Sequence, residues 1–144
     1  MAVAQILEQK GRNVVTVQPA QTLKEIAGIL ATQRIGAVVV VNAAGAIAGI
    51  VSERDVVRAV AADGAAALTR MVREFMTEKV RTCTPRDTEP ELMALMTEHR
   101  IRHLPVIEDG KLAGMISIGD VVKFRIESIE REAEDLKTYI ASAG

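Results

Sequence analysis

Tryptophan is absent from this chain, and its aromatic complement is Tyr139, Phe75 and Phe124. So few rings leave no stacking platform for single-stranded nucleic acid, which needs aromatics interleaved with cations. The net charge is −1 and no basic stretch stands out, so the electrostatic footprint of a nucleic-acid-binding surface is missing as well. Cys83 is the sole cysteine, which excludes an internal disulfide, and its neighbours offer no metal-ligand spacing. A small, semi-buried residue at a strand end accounts for it better than a reactive thiol. No apolar run reaches the roughly 18 residues that a membrane-spanning helix requires. Residues 1–12 lack a charged segment ahead of an apolar one, so they do not read as a secretory signal. Together these absences point to a cytoplasmic protein with neither nucleic acid nor membrane among its partners.

What is present is a globular balance, 49% hydrophobic and 26% charged over 144 residues. A unit of about 60 residues buries only about 60% of its unfolded surface, so half of this chain is marginal alone. Two small units sharing buried surface fit the length better.

The chain repeats itself. Thr16-Val17-Gln18-Pro19 aligns with Thr82-Cys83-Thr84-Pro85, Thr22-Leu23-Lys24-Glu25 with Thr88-Glu89-Pro90-Glu91, and Arg34-Ile35 with Arg100-Ile101, all at an offset of 66. From Gly49-Ile50-Val51-Ser52 and Gly114-Met115-Ile116-Ser117 onward the offset is 65. The lost residue falls where Asn42-Ala43-Ala44-Gly45 faces Glu108-Asp109-Gly110, a tight turn that tolerates deletion.

Both halves read as β-α-β-β-α. A short strand (Val14–Val17; Val80–Cys83) runs into proline, and a capping box opens a helix that places Ile26, Ile29 and Leu30, or Leu92, Leu95 and Met96, on one face. A buried strand (Ile35–Val41; His103–Ile107), a glycine-containing turn and a further strand (Ala46–Val51; Leu112–Ile116) follow. The closing helices start near Glu53 and Ile118, and Ala61–Thr77 connects the halves. The expected fold class is therefore α/β, two pseudo-symmetric repeats forming one module. Their expected extents are 13–70 and 78–125, with a helical extension over 126–144. Clefts between two such halves are where ligands settle.

Ser52-x-x-Asp55 and Ser117-x-x-Asp120 each mark a strand-to-helix junction. One reading is nucleotide capture. The carboxylate accepts from two adjacent ribose hydroxyls, the serine holds a further oxygen, and the helix's first N–H groups face phosphate. The other reading is a capping box, a form shared by Thr22-x-x-Glu25 and Thr88-x-x-Glu91. Arg102 and His103 flank the only Leu-Pro step, where Arg102 suits bidentate phosphate pairing and His103 adds a donor; alternation along the strand would instead put one of them in solvent and the other in a packed cap. Arg58 and Lys123 follow the aspartates by one turn and reach either a phosphate tail or the aspartate itself. His99 reads as a surface residue at a helix C-terminus. With so few aromatics, an adenine slot would be aliphatic, built from residues such as Val17, Val38, Ile50 and Met115.

A buried strand ending in Leu104-Pro105-Val106, then Gly-x-x-Ser-x-x-Asp, with the strand–turn–strand–helix plan occurring twice in register, resembles the CBS domain. The likeness runs from about Asn13 to Arg125, and 52–58 and 117–123 look like small stand-alone bacterial members. The resemblance implies a tandem pair that binds AMP, ATP, NAD(H) or S-adenosylmethionine between its repeats. Asp55 and Asp120 take the ribose, with Ser52 and Ser117 beside them. It further implies that Asp55 faces Arg102 and His103, that Asp120 faces Ile35, Gly36 and Ala37, and that Thr16, Thr82 and Thr84 line the clefts. The first half departs from the pattern. Gly36-Ala37-Val38-Val39 stands opposite Arg102-His103-Leu104-Pro105, so one cleft is rich in phosphate-pairing groups and the other poor.

Serine, histidine and aspartate are present without a Gly-x-Ser-x-Gly elbow, and no Walker A or Gly-x-Gly-x-x-Gly motif occurs, so nothing favours catalysis. Val122, Ile126, Ile129, Ala133, Leu136 and Ile140 form a 4-3 stripe flanked by Glu127–Arg131 and Arg131–Asp135 pairs. It packs either on its own domain or on a partner, and the resemblance adds a homodimer to that choice. The expected function is an adenine-nucleotide-sensing regulatory module. The alternative is an assembly or adaptor protein with degenerate clefts, acting on an unidentified protein through this helix.

Overall fold

The computed structural model describes residues 2–143; Met1 and Gly144, which the expectations for the two ends include, lie outside the described residues. In chain order the elements are α1 (Ala2–Lys10), β1 (Thr16–Val17), α2 (Leu23–Gln33), β2 (Ala37–Val41), β3 (Ile47–Ser52), α3 (Glu53–Asp63), α4 (Glu89–His99), β4 (His103–Glu108), β5 (Lys111–Ser117) and α5 (Ile118–Ala143). The connection after α3 holds two 3-10 turns, Gly64–Thr69 and Val72–Glu74.

Each half is a hairpin covered by helices. In the first, β1 runs parallel to β2 and β2 pairs antiparallel with β3. In the second, β4 and β5 form the hairpin, and the strand expected at Val80–Cys83 contracts to a single parallel bridge from Cys83 to Val106. That bridge keeps both ladder hydrogen bonds, Cys83 N–H to the Pro105 carbonyl and Ile107 N–H to that of Cys83. Proline at 105 can sit here because only its carbonyl is used. Cys83 is fully buried rather than semi-buried, and burial followed by the charge of Asp87 pushes its thiol pKa up to about 12.

The repeat extends to the ends of the helices. Thr22 Oγ1 accepts from Glu25 N–H and Thr88 Oγ1 from Glu91 N–H. Both helices close on an arginine in the left-handed region, Arg34 at φ 55° and Arg100 at φ 52°. The β4–β5 turn puts Asp109 and Gly110 at φ 52° and 74°, the paired positive angles of a tight hairpin turn, which explains how this half manages with one residue fewer.

One element was not expected. α1 leaves the first half and buries Ala2, Val3, Ile6 and Leu7 in the second half's core, with Leu92, Met96, Leu104, Val106, Ile116 and Val121. Conversely, Val72 and Met76, which precede the second half in sequence, pack into the first half's core with Val17, Ile26, Leu30, Val38, Val40 and Val51. Each half is thus completed by the segment that precedes the other. Two glycines make room for the exchange: a Cβ at Gly49 would lie 2.6 Å from Met76 Sδ, and one at Gly114 would lie 2.6 Å from Leu7 Cδ2. Fully burying one side chain of the size of Leu7 contributes about 1.5–3 kcal/mol, so four buried residues on α1 hold the halves together firmly.

α5 is 26 residues, roughly 39 Å at about 1.5 Å per residue. Its stripe is not packed on the domain: Ile126 is 51% exposed, Leu136 58% and Ile140 62%. Its flanks do not form the expected ion pairs either; Arg131 Nε instead reaches the Glu127 carbonyl at 3.5 Å.

Candidate functional site

The repeat brings its two Ser-x-x-Asp motifs to matching junctions, β3 to α3 and β5 to α5. Ser52 N–H donates to Asp55 Oδ2 at 2.8 Å and Asp55 N–H to Ser52 Oγ at 3.4 Å. Ser117 and Asp120 repeat the arrangement at 2.8 and 3.2 Å. The capping reading therefore holds at both places. It does not exhaust either carboxylate, because every hydrogen bond given to Asp55 and Asp120 falls on Oδ2. Oδ1 of each accepts no hydrogen bond among the described residues.

Around Asp55 there is a cavity of about 770 Å³, lined from the first half by Gly36, Ala37, Ile50, Ser52, Glu53, Arg54, Val57 and Arg58 and from the second by His99, Arg100, Ile101, Arg102 and His103. The connecting segment contributes Thr77, Lys79, Val80 and Arg81. Of the expected site residues, the structure gathers Ser52, Asp55, Arg58, Arg102, His103, Gly36 and Ala37 here. The grouping of Asp55 with Arg102 and His103 is realised. Gly36 and Ala37, expected opposite Asp120, line the Asp55 cavity. The reason is geometric: Gly36 abuts His103, whose Nε2 would lie 2.8 Å from a Cβ at that position, so both residues sit where the halves meet. Thr16, Thr82, Thr84, Ser117, Asp120 and Lys123 are not among the residues lining this cavity. Thr84 is engaged in the turn before α4, its N–H donating to Asp87 and its hydroxyl accepting from Arg86 N–H.

The aliphatic slot is smaller than expected. Ile50 lines the cavity, whereas Val17 and Val38 are buried in the first half's core. Val57 and Val80 supply apolar wall in their place. His99 is half-buried against the cavity rather than free on the surface. Sequence reasoning missed Arg54, Lys79, Arg81 and Arg100; their signal was a density of cations near the motif, which the repeat alignment does not pick out.

Asp120 has a different neighbour. Lys10, the last residue of α1, donates to Asp120 Oδ2 at 2.6 Å and to the Met115 carbonyl at 2.8 Å. Burial works to raise the Asp120 carboxyl, but the hydrogen bonds from Lys10 and Ser117, with the charge of Lys10, outweigh it and hold the group below its ordinary value. Neither Arg58 nor Lys123 pairs with its aspartate among the described residues. His103 lies between the two sites. Burial first, then the charge of Lys10, lowers its pKa, against raising contributions from Glu53 and Asp120.

A two-repeat α/β module with a polar cleft at the repeat junction is the class that this geometry defines. The CBS domain family model matches residues 3–62 and 72–127, and the chain belongs to that family as a tandem pair. The CBS-domain containing protein ATU1752 from Agrobacterium tumefaciens superposes with a TM-score of 0.84 at 52% identity, over 87% of this chain and 95% of that one. The CBS domain protein PAE2072 from Pyrobaculum aerophilum, solved in complex with AMP, gives a TM-score of 0.74 at 28% identity, over 83% and 89%. The mitochondrial CBS domain-containing protein CBSX3 of Arabidopsis thaliana is 42% identical over 110 residues, which are 74% of this chain but only 53% of the plant protein. Among the described residues, no group of three or more His, Cys, Asp or Glu could hold a metal ion, and no helix is long and apolar enough to cross a membrane.

Proposed function

We propose that this chain is a cytoplasmic regulatory module, without catalytic activity of its own, that senses an adenine nucleotide in the Asp55 cavity. The single observation that carries the reading is the cavity's composition: one capping carboxylate whose Oδ1 accepts no hydrogen bond, with Arg102 and His103 of the other repeat in the same lining. Such a carboxylate suits the paired hydroxyls of ribose, and guanidinium groups suit phosphate. The AMP complex of the Pyrobaculum relative supports the ligand class; AMP, ATP and NAD(H) are the candidates. Because both repeats line the cavity, a bound nucleotide shifts their relation by its differential affinity for the two arrangements, which is what a sensor requires. Asp120 plays the lesser part, its carboxylate already held by Lys10. Native mass spectrometry of freshly purified protein tests the reading. An adenine compound retained at one per chain supports it, and no adenine compound binding even when added in excess removes it.

The exposed stripe on α5 is read as a self-association surface that makes the chain a homodimer. Val122, Ile126, Ile129, Leu136 and Ile140 are each between 45% and 62% exposed on one helix, and an isolated monomer rarely carries such a patch. Truncation after Arg125 and Leu136→Asp should both weaken self-association in light scattering while the nucleotide-binding core stays folded. Dimers of unchanged affinity in both variants would place any dimer contact elsewhere.

A further inference from the structure

The Asp55 cavity carries an excess of positive charge that one phosphate does not use. Its lining includes Arg54, Arg58, Lys79, Arg81, Arg100 and Arg102, against the carboxylates of Glu53 and Asp55, in a chain whose net charge is −1. None of these six cations forms a salt bridge among the described residues; the four ion pairs there are made by Lys10, Arg12 and Arg70. A second hollow of about 290 Å³ adjoins the first and shares Arg54, Arg100, Ile101 and Arg102 with it, its remaining wall being Met96, Thr97 and Ile118. Three unpaired guanidinium groups therefore stand between two hollows. Arg54 is the second residue of α3, so its cation sits beside the positive end of a helix dipole, an unfavourable place that a bound anion relieves. For two of these three the charge is also one-sided within the repeat, Arg100 alone having an arginine, Arg34, as its match. The positions matching Arg54 and Arg102 in the other half are Gly119 and Gly36.

We infer that the smaller hollow, with Arg54, Arg100 and Arg102, seats the outer phosphates of a nucleoside di- or triphosphate. The module then selects its ligand by phosphate number and disfavours cationic adenosyl compounds. The inference rests on the nucleotide reading above and adds a direction to it. Ribose lies at Asp55, and the phosphate chain runs across the repeat junction into the second hollow. Planar guanidinium groups pair phosphate oxygens two at a time, so each further phosphate adds charge-assisted hydrogen bonds.

The test is a calorimetric series on the full chain, in EDTA, with adenosine, AMP, ADP, ATP, S-adenosylmethionine and inorganic tripolyphosphate. Affinity should rise from adenosine through AMP to ATP, with S-adenosylmethionine weaker than AMP. Arg54→Ala should cost ATP at least about tenfold more than it costs AMP, the scale of one charged hydrogen bond. Arg54 is exposed and its side chain makes no ion pair among the described residues, so the variant is expected to fold, and circular dichroism checks that. Equal affinity of wild-type protein for AMP and ATP, or equal losses for both in Arg54→Ala, overturns the phosphate hollow while leaving nucleotide binding intact. If no nucleotide binds but tripolyphosphate does, in a manner weakened by Arg54→Ala, the hollow stands and the adenine reading falls. If tripolyphosphate and nucleotides all fail to bind, both fall.

Discussion

Asp55 and Asp120 occupy matching places in two halves built to one plan, yet they face different surroundings. Each caps a helix and each takes its serine's N–H at 2.8 Å. The divergence begins two strand residues before the serine. The Ile50 carbonyl accepts from the backbone N–H of Thr77 at 2.9 Å, whereas its counterpart, the Met115 carbonyl, accepts from the Lys10 side chain at 2.8 Å. In the first half the completing segment arrives as extended backbone and satisfies the carbonyl without spending a charge. In the second it arrives as the end of α1, and the lysine that reaches the carbonyl also reaches the aspartate. Both carboxylates keep Oδ1 without a hydrogen bond, but near-identical motifs leave Asp55 without an ion pair and Asp120 paired with Lys10. What decides between them is the segment exchanged between the halves, not the motif.

The largest expected effect comes from removing the carboxylate without an ion pair. Asp55→Ala should abolish the nucleotide-induced rise in melting temperature, a loss of about 1.5–3 kcal/mol for each charged hydrogen bond. Asp120→Ala should leave most of it. Since Asp55 also caps α3, Thr22→Ala serves as control: it removes the α2 cap, costs about 1 kcal/mol of stability and leaves binding unchanged. Comparable binding losses in Asp55→Ala and the control would erase the distinction between site and cap.

Freeing the engaged carboxylate should sharpen the comparison. Lys10→Met removes the ammonium while keeping the side chain's length. Calorimetry should then detect a second, weaker nucleotide site, with a stability cost under about 1 kcal/mol because the pair is partly exposed. Unchanged stoichiometry would mean that the Asp120 side is closed for reasons other than Lys10. A smaller effect concerns the ribose itself. A carboxylate on its hydroxyls repels a 2′-phosphate, so NADP should bind more weakly than NAD; equal affinities in calorimetry would contradict that placement.

The smallest effect is on acid sensitivity. The folded protein lowers the His103 pKa below its ordinary value of 6.5, so below that pH the unfolded chain takes up a proton that the folded one resists. Stability present at neutral pH is therefore lost as pH falls through about 6.5 toward the folded value. Asp120, lowered from 3.8, stays ionised in that window and loses its contribution only in stronger acid. His103→Gln should reduce the drop in melting temperature between about pH 7.5 and about pH 5.5 by a few degrees. An unchanged drop would assign the acid sensitivity to another group.

Local chemistry was legible in the sequence wherever it is set by nearest neighbours. The doubled β-α-β-β-α plan and the four caps follow from period, turn residues and repetition, whereas setting Arg102 and His103 opposite Asp55 was an implication of the family resemblance. What was not legible depends on contacts between residues far apart in sequence. α1 has no counterpart in the repeat alignment, and its apolar residues are buried only because the second half leaves a gap for them. Lys10 lies 110 positions from Asp120, and no spacing rule connects them. Gly36 and Ala37, expected opposite Asp120, line the Asp55 cavity for the same reason. They sit at the junction of the halves, where a residue's side of the boundary is set by packing against His103 rather than by register.

Of the two matching carboxylates only Asp120 is held by a cation, and calorimetric titration of the intact protein with ATP reads the consequence of that difference. One high-affinity site per chain is expected, lost in Asp55→Ala and retained in Asp120→Ala. Two equivalent sites in the wild-type protein, or a single site that survives Asp55→Ala and disappears in Asp120→Ala, would contradict it.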